Sequence, residues 1–120
     1  MARYEHLPIY REAMNFLLFC ETAVRHFSRY NKYTHGTDLR NLARTAVRLI
    51  IRANNTPQKV PVLEELRITV EEIKVVLRVL KEVRAFQNFN SFEIAVNYAA
   101  NIGRQAEGWL RSARERSKTA

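Results

Sequence analysis

The chain has 120 residues, 47% of them hydrophobic and 27% charged, with a formal net charge of +8. That length makes a single domain, and the composition excludes an intrinsically disordered chain. With only three Gly and three Pro an all-β fold lacks its turn residues, while the positive surplus puts nucleic acid or another anionic surface first among partner classes.

The first predicted helix opens at Pro8, a residue suited to a first turn, and runs to about residue 27. Ile9, Ala13, Phe16, Cys20, Val24 and Phe27 form its main apolar stripe, joined by Leu17 and Ala23. The run FLLFC at 16–20 is too short to span a bilayer and does not read as a signal peptide. Cys20 is the lone cysteine, so no internal disulfide is expected and a reduced, cytoplasmic setting is. In the link SRYNKYTHGT, Tyr30 and Tyr33 flank Lys32. Packing of the link against the bundle end is the expected role of these rings, and stacking on unpaired bases the alternative.

Thr34 or Thr37 is expected to cap the second helix, which ends near Ala53. At about 100° per residue, Leu39, Leu42, Ala43, Ala46, Leu49, Ile50 and Ala53 gather on one side. Arg40, Arg44, Arg48 and Arg52 gather on the other, with Asp38 the only acid in residues 34–58. A solvated helix face ordinarily mixes both signs, because i,i+4 pairs of opposite charge support each other. This stripe has one sign and is the leading candidate to meet a polyanion.

The run NNTPQKVP breaks the chain. A third helix is predicted over about residues 61–84, with Leu63, Leu66, Val70, Ile73, Leu77 and Leu80 as its core stripe. Ile68, Val75, Val76, Val79 and Val83 give it a second apolar side, and Val47 and Ile51 border the arginine stripe. Either the third helix is deeply buried or these seven residues form a subunit interface, since an exposed apolar patch is a liability on a small monomer; self-association is the expectation.

Asn90 and Glu93 have capping-box spacing for a fourth helix, with Ala95, Tyr98, Ile102, Ala106 and Trp109 in helical period. Gly103 and Gly108 are read as points of close helix approach, or, for Gly108, as room to seat Trp109, a core anchor closing one bundle end. Residues 114–120 read as a basic flexible tail beyond a domain spanning 1–113. Four amphipathic segments joined by short links predict an all-α, antiparallel up-down-up-down four-helix bundle.

The positive surplus concentrates on the second helix and near the C-terminus, so Arg111 and Arg114 join the four arginines as nucleic-acid-binding candidates. The guanidinium fork suits phosphate oxygens, and without a base-reading motif the contacts would go mostly to backbone phosphate. His6, His26 and His35 are too dispersed for a metal-ligand pair. There is no inward Glu-x-x-His pair, no phosphate-cradling glycine loop, and no nucleophile with a nearby base. A protein that is not an enzyme, with no cofactor and no metal, is expected.

LPIYREA at 7–13, YTHGTDLR at 33–40, LIIRANN at 49–55 and IGRQAEGWLRS at 102–112 occur in the order and spacing of a known family. Over residues 7–113 the chain resembles the four-helix bundle proteins that include Avd, the accessory variability determinant of diversity-generating retroelements. That family also takes in proteins encoded by intervening sequences of ribosomal RNA genes. The resemblance implies a homopentameric, basic barrel of bundles associating with a reverse transcriptase and template RNA to support mutagenic cDNA synthesis and retrohoming. The family's functional basic positions would fall on Arg40, Arg44, Arg48 and Arg52. Two other readings stand beside it: a ribosomal intervening-sequence type of bundle without a polymerase partner, and a protein-binding adaptor whose arginines meet an acidic surface.

Overall fold

The computed structural model describes residues 3–119. After a 3-10 turn at Tyr4–His6 come five helices: α1 (Pro8–Arg25), α2 (Arg29–Tyr33), α3 (His35–Asn55), α4 (Lys59–Glu82) and α5 (Phe89–Thr119). The described residues contain no strand. Each long helix packs against two others, in the cyclic order α1, α3, α4, α5 and back to α1. The links are too short to cross the bundle, so consecutive long helices run antiparallel. The result is 51 Å long and 23 by 22 Å across. Met1, Ala2 and Ala120, which the predicted domain and tail include, lie outside the described residues.

The predicted stripes make the core. Phe16, Cys20, Ile50, Leu63, Leu66, Ile73, Leu77, Leu80 and Ile102 are fully buried. Burial and the neighbouring charge of Glu21 push the Cys20 thiol well above its ordinary range. Leu17, Leu42, Tyr98 and Trp109 are only partly buried against this core, so Trp109 leans on the bundle rather than closing it.

Several predicted ends move. Thr34 holds the N-cap position of α3, as one of the two expected, but its side chain makes no capping bond: Thr34 Oγ1 donates back to Tyr30 O at 2.7 Å and Thr37 Oγ1 to Lys32 O at 3.3 Å. Those bonds stabilise α2, a turn hidden inside the polar link, whose N-cap is Ser28. At the other end of α3, Lys59 Nζ donates to Ala53 O at 2.7 Å and Thr56 O at 2.9 Å. A cation there satisfies orphan carbonyls at the negative end of the helix dipole. The cap of α5 lies at Asn88, not Asn90, with Asn88 Oδ1 accepting from Ser91 N at 2.9 Å. Residues 114–119, read as a flexible tail, continue α5 as helix.

The glycines divide. A Cβ on Gly36 would lie 2.7 Å from Val24 Cγ1 and 3.0 Å from Asn31 O, so α1 and α2 approach α3 too closely there for any side chain. A Cβ on Gly103 would sit tightly against Val70, at 3.3 Å, as close helix packing requires. At Gly108 a Cβ would meet nothing within 4 Å, so neither close approach nor the seating of Trp109 accounts for it.

Candidate nucleic-acid interface

Four residues of α-helix advance the side chain by about 40° beyond a full turn. Arg40, Arg44, Arg48 and Arg52 therefore wind by about 120° across the back of α3 instead of forming a straight row. Its buried front, with Leu39, Ala43, Ala46, Ile50 and Ala53, sets the rotation. The first two arginines fall on the edge facing α1, where one carboxylate meets both. Glu21 lies 3.0 Å from Arg44 Nη2 and 3.7 Å from Arg40 Nη1. Arg48 is exposed and donates to Thr45 Oγ1 of its own helix at 2.9 Å. Arg52 is exposed beyond it. Neither Arg48 nor Arg52 has a carboxylate partner among the described residues. The stripe thus keeps three uncompensated charges of its four, with the strongest positive field toward Arg48 and Arg52.

Arg111 and Arg114 do not join it. Arg114 pairs with Glu64 of α4, which also lies 3.6 Å from Arg67, and Arg67 Nε is 3.8 Å from Glu107. This alternating network ties α4 to α5. Arg111 is exposed and lines the same groove with Lys74 and Arg104 around Gly103. In the cyclic order of helices the α4/α5 groove lies opposite the α1/α3 edge. The six candidate arginines therefore occupy two separate surfaces, each of them partly neutralised, by Glu21 on one and by Glu64 on the other.

The seven candidate interface residues also separate. Val47 is buried within its own bundle, which leaves it little surface to offer a partner copy. Ile51, Val76 and Val79 are half-buried, whereas Ile68, Val75 and Val83 are exposed. On α3, Val47 and Ile51 take the rotational position of the α1 edge, near Arg40 and Arg44. Val75 and Val76 instead line the groove between α3 and α4 with Leu42. Of the seven, those left exposed to a partner all lie on α4 or, for Val83, at its C-cap.

A model of the bAvd-like family matches residues 10–113. The chain belongs to the bAvd-like family. The matched span takes in the arginine stripe, Glu21 and the α4/α5 residues Glu64, Arg67 and Glu107, and stops one residue short of Arg114. None of the curated proteins matches the chain. No helix among the described residues is long and apolar enough to cross a membrane.

Three features of this bAvd-like bundle escaped the sequence. Glu21 partners the stripe from a different helix, 19 residues before Arg40, and periodicity within one segment does not reveal such a partner. The Glu64–Arg67–Glu107–Arg114 network had one local sign, the i,i+3 spacing of Glu64 and Arg67. The helical turn at α2 had the capping spacing of Ser28 and Asn31, hidden in polar composition.

Proposed function

We propose that this bAvd-like chain is a non-catalytic, nucleic-acid-binding accessory of a reverse transcriptase. It would bind template RNA or cDNA through backbone phosphates and support mutagenic cDNA synthesis in a diversity-generating retroelement, in the cytoplasm. Family membership supports the accessory role. The observation carrying the binding role is the uncompensated pair Arg48 and Arg52 on the back of α3, continued by Arg40 and Arg44 at the Glu21 edge. Four guanidiniums on one protomer give modest, salt-sensitive binding, and linked protomers gain by avidity. Self-association through the α4 face of Ile68, Val75 and Val83 would repeat the stripe around a homo-oligomer, a pentamer by family likeness.

The test is a salt titration of binding to RNA and to DNA. Arg48→Glu with Arg52→Glu should abolish binding while helicity and assembly persist. Unchanged binding would end the proposal. No binding by the parent protein even at low salt, where phosphate contacts are strongest, would point instead to a protein-binding adaptor.

A further inference from the structure

The two links 26–34 and 83–88 share one end of the bundle, as the edge-on contact of Phe27 with Phe86, 5.4 Å between centroids, establishes. This end displays aromatic rings that the core does not use. Tyr30 is 73% exposed, Tyr33 67% and Phe89 59%. Packing was the expected role of the two tyrosines, and exposure of this extent removes it. They are not loosely held, however. Spaced i,i+3, they project from the same side of α2, and α2 is fastened by its Ser28 cap and by the Thr34 and Thr37 hydroxyls. Phe89 opens α5 and lies 5.7 Å from Phe92, over which Lys81 Nζ sits at 5.4 Å.

Cations interleave with these rings. Arg25, Arg29 and Lys32 flank the tyrosines, with no acid between residues 22 and 37. Arg84 stands in the other link, and none of the four has a carboxylate partner among the described residues. Arg84 is the more telling because of its backbone. Its φ is 58°, the one positive value on a non-glycine residue among those described. It occupies the left-handed position that ends α4, with Ala85 N bonded to Leu80 O at 2.9 Å. Glycine takes that position without strain, so a cation is held here at a conformational cost.

Exposed rings carried on a fastened turn among uncompensated cations are what unpaired bases require: a π-face to stack on and a positive field for the backbone. A duplex offers only its phosphates, because its bases are already stacked. The arginine stripe begins at this same end, since Arg40 lies in the second turn of α3. We infer that this end of the bundle is a single-strand stacking platform, with Tyr30, Tyr33 and Phe89 taking unpaired bases while Arg84 and the α2 cations hold the backbone. The inference rests on the nucleic-acid role proposed above and places single-strand preference on a different surface from the arginine stripe.

The test compares full-length protein binding an unstructured single strand and a duplex of equal length, by fluorescence anisotropy at several salt concentrations. Tyr30→Ala with Tyr33→Ala should weaken single-strand binding about tenfold or more and leave duplex binding within about twofold, while Tyr30→Phe with Tyr33→Phe keeps both. Arg84→Gly should raise the melting temperature, yet flatten the single-strand salt slope by about 0.7. A 2-aminopurine strand should lose emission on binding the parent protein, which reads stacking without any variant. Equal loss for strand and duplex, no loss for either, or a changed oligomer mass with strand affinity intact would overturn the platform and leave the arginine stripe standing. A parent protein that binds neither strand nor duplex at low salt overturns both proposals.

Discussion

Glu21 is the one acid among the described residues that pairs with the arginine stripe, so Glu21→Gln should strengthen nucleic-acid binding. The substitution keeps the shape of the side chain and removes its charge. It releases Arg44 from a 3.0 Å contact and Arg40 from one of 3.7 Å, raising the uncompensated charge of the stripe from three to four. One additional phosphate contact steepens the duplex salt slope by about 0.9. By the same relation, affinity should then fall about three- to fourfold further than for the parent between 50 and 200 mM salt. Both partners are partly exposed, so losing the bridge costs at most about 1 kcal/mol of stability. Anisotropy titrations with one duplex at four or five salt concentrations would read the slope, and thermal denaturation would read the stability. Binding weakened or unchanged at low salt, with an unaltered slope, would refute the reasoning, because Glu21 would then not be competing with phosphate for these guanidiniums.

The glycines make a paired prediction. Gly36→Ala should destabilise, since overpacking against Val24 and a backbone carbonyl costs about 1–3 kcal/mol, whereas Gly108→Ala, entering open space, should stabilise by up to about 1 kcal/mol; denaturant midpoints give both signs. Cys20 should resist alkylation in the native protein and react only on unfolding. Its folded pKa is raised, so its contribution to stability is complete below the unfolded thiol's value of about 8.5 and is lost as pH climbs beyond it; a Cys20→Ser reference would isolate that fall in melting experiments. Replacing Ile68 and Val75 with Lys should lower the solution mass to that of the monomer while helicity is kept, and an unchanged mass by light scattering would remove the α4 face as the interface.

The four long helices, their core stripes and the bundle architecture were legible in the sequence because a 3.6-residue period reports which side of a segment must leave water, whereas the short α2 was not. Leu63, Leu66, Ile73 and Leu77 needed no more than that, and all are fully buried. The singly signed stripe on α3 was legible for the same reason. Whether its charges remain free is a question between helices, decided by α1 placing Glu21 beside Arg40 and Arg44 and leaving Arg48 and Arg52 clear. Packing likewise set Arg114 against Glu64, buried Val47 within its own chain, and left Tyr30 and Tyr33 in solvent. Periodicity is a property of one helix, whereas neutralisation and exposure depend on which neighbour covers which edge, and only the assembled bundle sets that.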